Sequence, residues 1–160
     1  MNDESVRDYK VDLQTKMINK KDPCRKLKLA GEAYEKGYTC SQAVFCAFVD
    51  EMGIDEEIAI KIMEGFGGGM GGLQEVCGAL SGAFAVISYL YHDGKTGARD
   101  NRALIYRKIR EAGEKFRIEY NGITCYDVLH GEKPKAFKCG MKVKDAAMIV
   151  TEILKQSMEN

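Results

Sequence analysis

The side chains of this 160-residue chain best suited to covalent or metal chemistry are four cysteines, Cys40, Cys77, Cys125 and Cys139. Cys40, Cys125 and Cys139 fall where helices are predicted to begin, and Cys77 lies within the first two turns after a glycine-rich loop. Unpaired N–H groups and the positive end of the dipole at a helix N-terminus favour thiolate over thiol. A cysteine placed there is suited to nucleophilic attack or metal ligation near neutral pH. Gly65–Gly72, GFGGGMGG, holds six glycines in eight residues. Each costs extra entropy to order, so the run belongs where the backbone turns tightly or approaches something closely. Cys77, just after it, is expected to be the attacking and most reactive thiol. The four are expected to converge on one site, because helix N-termini can be gathered at one end of a bundle. Cys46 sits six residues after Cys40 and points elsewhere on the same helix, so it is expected in the core. Cys24 is expected on the surface.

Other chemistries find no support. No Ser-His-Asp order, HExxH or paired-carboxylate motif points to hydrolysis. His92 and His130 stand near predicted helix C-termini, where an imidazolium is favourable, and Tyr38 and Tyr126 read as packing residues. Gly67, Gly69 and Gly72 satisfy the spacing GxGxxG, but that fingerprint requires a preceding strand. Here Ile58, Ile62, Met63 and Phe66 recur at helical intervals instead. Gly94-Lys95-Thr96 resembles the tail of a Walker loop, yet Tyr89 stands where its first glycine belongs.

Lys plus Arg and Asp plus Glu balance at 24 each, giving a formal net charge of zero and no global attraction to nucleic acid or anionic membrane. The basic group Lys20, Lys21, Arg25, Lys26 and Lys28 is expected to be a solvated face. The opening MNDESVRDYKVDLQ lacks a secretory apolar core, so a cytoplasmic location is expected. There, six cysteines would stay reduced rather than form a fixed disulfide framework. The longest uncharged run, Val76–Tyr91, has 16 residues, too few to span a bilayer. Its small residues Gly78, Ser81, Gly82 and Ala85 suggest a buried helix packed closely by its neighbours.

Positioning these cysteines requires a succession of helices. Val6, Tyr9, Leu13 and Met17 mark an amphipathic helix over Asp3–Lys20. Asp22-Pro23 starts a second, with Cys24 in its first turn, that Gly37 closes. Thr39 to Gln42 is a capping box opening a third at Cys40, ending near Gly53. Asp55 caps a fourth, which the glycine run terminates. The Cys77 helix stops at His92-Asp93-Gly94. Ala98–Tyr120 is the longest, with Ile105, Ile109, Ala112 and Phe116 on one face and Asn121-Gly122 as its stop. Thr124 caps a short helix beginning with Cys125, and Cys139-Gly140 precedes a last one through Leu154. With no period-two alternation, the chain is expected to form one all-α domain over residues 1–160, a bundle of six to eight helices.

Tyr38-Thr39-Cys40, the glycine loop, Cys77-Gly78-Ala79-Leu80-Ser81-Gly82, Cys125 and Cys139 together resemble the C_GCAxxG_C_C family of redox-active proteins, with a family core over about residues 25–157. That resemblance implies redox activity of the four characteristic cysteines and genes often placed near transporters. A similar domain in split-Soret cytochromes is associated with an iron-sulfur centre, whereas the absence of CxxCH here gives no support to covalent haem. Three functions follow. In the first, two of Cys40, Cys77, Cys125 and Cys139 exchange between dithiol and disulfide with an unknown redox partner. In the second, the same four hold zinc or an iron-sulfur cluster, although intervals of 37, 48 and 14 residues lack the CxxC pairs of common zinc modules. In the third, the domain is a structural partner of a transporter or redox enzyme. No nucleic acid and no membrane insertion are expected, and a homodimer remains open.

Overall fold

A computed structural model describes residues 24–136 and 138–159 of the protein. The helix expected over Asp3–Lys20 and the cap expected at Asp22-Pro23 lie outside the described residues. Among the described residues eight right-handed helices follow in order: α1 (Arg25–Glu35), α2 (Cys40–Cys46), α3 (Val49–Met52), α4 (Glu56–Met63), α5 (Gly78–Tyr91), α6 (Arg99–Tyr120), α7 (Cys125–Val128) and α8 (Gly140–Glu159). Among the described residues there is no strand, only an isolated antiparallel bridge between Val76 and Thr124. The architecture is all-α, and no described helix is long and apolar enough to cross a membrane.

Helix α5 is the centre of the bundle, packed by α2, α6 and α8, while α1 lies along α8. It is uncharged because it is enclosed: Leu80, Ala83, Val86 and Ile87 are wholly buried, against Val44 of α2, Phe116 of α6 and Val150 and Ile153 of α8 in one core. Its small residues set how closely α2 approaches. A Cβ on Gly82 would stand 2.6 Å from the Ser41 carbonyl oxygen, and one on Gly78 would stand 2.4 Å from Cys40 Sγ. The C-terminal end of α5 is tied down by Asn101, whose Nδ2 donates to the Tyr91 carbonyl at 2.8 Å, and by the buried Tyr91 hydroxyl, which bonds Ser157.

Short-range signals place most of the boundaries. Thr39 and Gln42 form the expected capping box, with Thr39 N–H donating to Gln42 Oε1 at 2.8 Å and Gln42 N–H to Thr39 Oγ1 at 3.3 Å. Asp55 caps α4, Thr124 caps α7, and Asn121 closes α6 in the left-handed conformation. Three expectations need correction. Helix α1 opens at Arg25 with the exposed Cys24 at its cap position. The helix expected from Cys40 to near Gly53 is interrupted at Ala47 and Phe48, where Phe48 leaves helical geometry to enter the core. Lys26 does not belong to a solvated basic face. It is 8% exposed, its Nζ donates to Glu51 Oε2 at 2.6 Å and to the Ala47 carbonyl at 2.7 Å, and its charge lies over the Phe48 ring.

The glycine run does more than end α4. A 3₁₀ turn, Glu64–Phe66, carries the chain onward, and the five residues Gly68, Gly69, Met70, Gly71 and Gly72 all take positive φ. Gly71 N–H reaches back to the Gly67 carbonyl, so the segment is one left-handed turn. L-residues with a Cβ resist that hand by about 1–2 kcal/mol each, which is why four of the five are glycine. Ile58, Ile62 and Phe66, which recur at helical intervals, are 52%, 54% and 38% exposed. The buried face of α4 is formed by Ala59 and Met63.

Candidate four-cysteine site

The left-handed turn sends the chain back into a short antiparallel pairing that brings two distant cysteines together. Cys77 N–H donates to the Ile123 carbonyl at 2.8 Å, Cys125 N–H to the Glu75 carbonyl at 2.5 Å and Tyr126 N–H to the Gln74 carbonyl at 3.1 Å. Gly69 makes room, since a Cβ there would lie 2.6 Å from Cys125 Cβ. Cys77 becomes the cap residue of α5 and Cys125 the first residue of α7. Cys40, held as the first residue of α2 by the capping box, directs its sulfur at the start of α5, where Gly78 lacks a side chain. Cys139 directly precedes α8, and its N–H donates to Tyr34 Oη at 3.3 Å.

These four cysteines line a single cavity of about 170 Å³, together with Tyr34, Gly67, Gly68 and Lys135. All are free thiols. Cys77, Cys125 and Cys139 are buried, at 4%, 5% and 9% exposure, and Cys40 is the partly exposed member. Cys46 is buried at the far end of α2 and Cys24 is exposed at the head of α1, neither lining the cavity. A larger groove of about 840 Å³ between α4 and α5 contains no cysteine, so the thiol chemistry belongs to the smaller space.

Burial governs the electrostatics. Together with the neighbouring Cys40 it pushes the Cys77 thiol up to about 12, outweighing the favourable hydrogen bonds from the Leu80 and Ala79 N–H groups. The helix-start field expected to activate Cys77 is therefore present and overruled by desolvation. Burial thus weighs against the thiolate at Cys77, the thiol expected to be the most reactive. Burial, with Cys139 and Cys40 acting in the same direction, likewise raises Cys125 to about 11. Cys139 is raised by burial and by Cys40, but Lys142, the Tyr34 hydroxyl and Lys138 act in the opposite direction.

A pH dependence follows. A thiol whose folded pKa lies above its unfolded value favours the folded state while protonated. Its contribution is intact below about pH 9 and is lost as pH rises towards 12, because the unfolded chain ionises first. Denaturant midpoints measured across this range are expected to be level near pH 8 and to fall above pH 9, with a shallower fall in Cys77→Ala. An unchanged slope in that variant would contradict the burial-driven shift at Cys77.

The cysteines do not fit a metal ion as they stand: among the described residues no three His, Cys, Asp or Glu side chains are grouped closely enough to hold one. The ligand set expected for zinc or an iron-sulfur cluster lines the cavity without forming such a group.

A family model described as "Putative redox-active protein (C_GCAxxG_C_C)" matches residues 38–153, the span running from the residue before the capping box to the core of α8. The protein belongs to this family. No curated protein and no solved structure matches the chain. In structural terms the segment Cys77-Gly78-Ala79-Leu80-Ser81-Gly82 places Cys77 at the cap, with Gly78 yielding to Cys40 Sγ and Gly82 yielding to the α2 backbone. The glycines thus hold α2, and Cys40 with it, against the first turn of α5.

Tyr34 escapes a reading of motifs. Its position in the stripe Leu27, Ala30, Ala33, Tyr34 marks it as a core residue of α1, and only the docking of α1 along α8 brings its hydroxyl to Cys139. Lys135 is hidden in the same way, in a loop after Pro134 that gains meaning from lining the cavity.

Proposed function

We propose that this C_GCAxxG_C_C protein is a dithiol–disulfide exchange protein in which Cys40 makes the first attack and Cys139 resolves the mixed disulfide. The observation that supports it is the grouping of four free thiols around one small cavity with only Cys40 partly open to solvent. A thiol must be reached before it can exchange, and accessibility selects Cys40 over the buried Cys77. Among the buried partners, Cys139 has the Tyr34 hydroxyl and two nearby lysines to stabilise its thiolate. Cys77 and Cys125 enclose the cavity and present thiols to the same space.

In the exchange, the Cys40 thiolate attacks one sulfur of an external disulfide and expels the other as thiolate. Cys139 then attacks the Cys40 sulfur and expels the second. The protein loses two thiol protons and two electrons, and the external disulfide becomes two thiols. Mild oxidation is expected to remove two free thiols, with peptide mass spectrometry locating the new bond between Cys40 and Cys139. Cys40→Ser is expected to slow oxidation by an added disulfide at least about tenfold, whereas Cys24→Ser leaves it unchanged. Retention of the wild-type rate in Cys40→Ser, or a bond formed chiefly through Cys24 or Cys46, would refute the assignment.

A further inference from the structure

The cavity that holds the thiols has one charged residue in its lining, Lys135, and the segment that carries Lys135 and Cys139 is basic. Between residues 132 and 142 the chain has four lysines, Lys133, Lys135, Lys138 and Lys142, against one acid, Glu132. Lys135 lines the cavity itself. Lys138 and Lys142 flank Cys139 in sequence, and Lys133, Lys135 and Lys138 are exposed. Glu132 is shared between Lys135, at 3.9 Å, and Lys138, so one carboxylate faces two ammonium groups and the segment keeps a net positive charge. Lys142 lies over the Tyr120 ring, 5.3 Å from its centroid. The chain as a whole is neutral, so this local excess stands out against no general basic background.

We propose that the exchange partner of this cavity is a small anionic disulfide, a low-molecular-weight compound with a carboxylate or similar group a few bonds from the sulfur. This deepens the dithiol-exchange reading and rests on it. The size of the cavity, about 170 Å³, suits one arm of such a molecule, with its sulfur at Cys40 and its anionic group on the lysines of this segment. Positive charge around a cleft raises the local concentration and association rate of an anionic reactant, and salt suppresses the effect. The same lysines also stabilise the anionic thiolate that leaves when Cys40 attacks. Atoms balance as in the exchange above: the protein dithiol and one anionic disulfide give the protein disulfide and two anionic thiols, and the two protein protons pass to those thiols or to water.

The test uses three symmetrical disulfides that differ in charge: 3,3′-dithiodipropionate, 2-hydroxyethyl disulfide and cystamine. Each is reacted with the reduced full chain, and each rate is divided by that with a neutral small thiol to remove intrinsic reactivity. The anionic compound is expected to react about tenfold faster than the neutral one and faster still than the cationic one, with the preference collapsing in 1 M salt. In Lys135→Gln/Lys138→Gln the anionic-to-neutral ratio is expected to fall several-fold, a ratio within one variant that a general loss of folded protein does not move. Equal rates for the three compounds, a preference for cystamine, or a ratio untouched by the double substitution would overturn the anionic assignment while leaving dithiol exchange in place. If none of the three oxidises the protein faster than the reference thiol, the exchange reading fails and this one with it.

Discussion

Gly82→Ala is expected to destabilise the protein by about 1–3 kcal/mol, the usual cost of overpacking a tight interior. The direction is informative because glycine to alanine inside a helix ordinarily gains about 1 kcal/mol. At this position the added Cβ would meet the Ser41 carbonyl oxygen at 2.6 Å and Val44 Cβ at 3.1 Å. The first of these is backbone, which cannot swing aside as a long side chain would. Helix α2 must therefore shift bodily away from α5, and Cys40 moves with it. Denaturant unfolding gives the stability, and the rate of Cys40 alkylation reports the displacement at the site. Gly113→Ala, on α6, provides the control: its Cβ would meet nothing closer than Phe84 Cζ at 3.5 Å, an ordinary contact. Equal or greater stability of Gly82→Ala would show that the two helices are not held at the separation described.

A still larger effect is expected from Lys26→Met. The substitution keeps an apolar stem but leaves Glu51, only 7% exposed, without the ammonium group 2.6 Å from its carboxylate. Removing one partner of a buried pair typically costs about 3–5 kcal/mol, because the other charge stays buried and uncompensated. The Ala47 carbonyl, to which Lys26 Nζ donates at 2.7 Å, loses a partner at the break between α2 and α3 as well. Lys26→Met/Glu51→Leu removes both charges and should recover most of the loss. Thermal and denaturant unfolding of the two variants decide the matter. A single substitution as mild as an exposed lysine replacement, within about 0.5 kcal/mol, would show that the pair is not buried as described.

The contrast between Lys26 and the capping box shows what could be read from the chain alone. Thr39 and Gln42 specify the start of α2 through bonds spanning three residues, and Asp55 and Thr124 act over two or three. Such signals lie within a few residues of their effect, so the helix starts that carry Cys40 and Cys125 were legible. Lys26 finds Glu51 twenty-five residues away, and nothing in the local run of basic residues distinguishes it from Lys28. Periodicity similarly marked Ile58, Ile62 and Phe66 as a face without saying which way it points. At Cys77 the placement beside a helix start was readable, but its consequence was not. Solvent exclusion by α2, α6 and α8 is a tertiary property, and it outweighs the amide field that the sequence implies.

The turn at residues 68–72 has a bearing on how this chain can vary. Its backbone is, over one turn, the mirror image of the helices around it, so handedness is required there even where, unlike at Gly69, smallness is not. Gly72 makes the point, since a Cβ at that position would meet nothing within 4 Å and yet its φ of +86° disfavours any L-side chain. The genetic code supplies just one achiral amino acid, and a peptide chemist placing D-alanine at Gly72 would satisfy the same requirement with a chiral one. The glycines of this turn are thus the natural substitute for residues of the opposite hand.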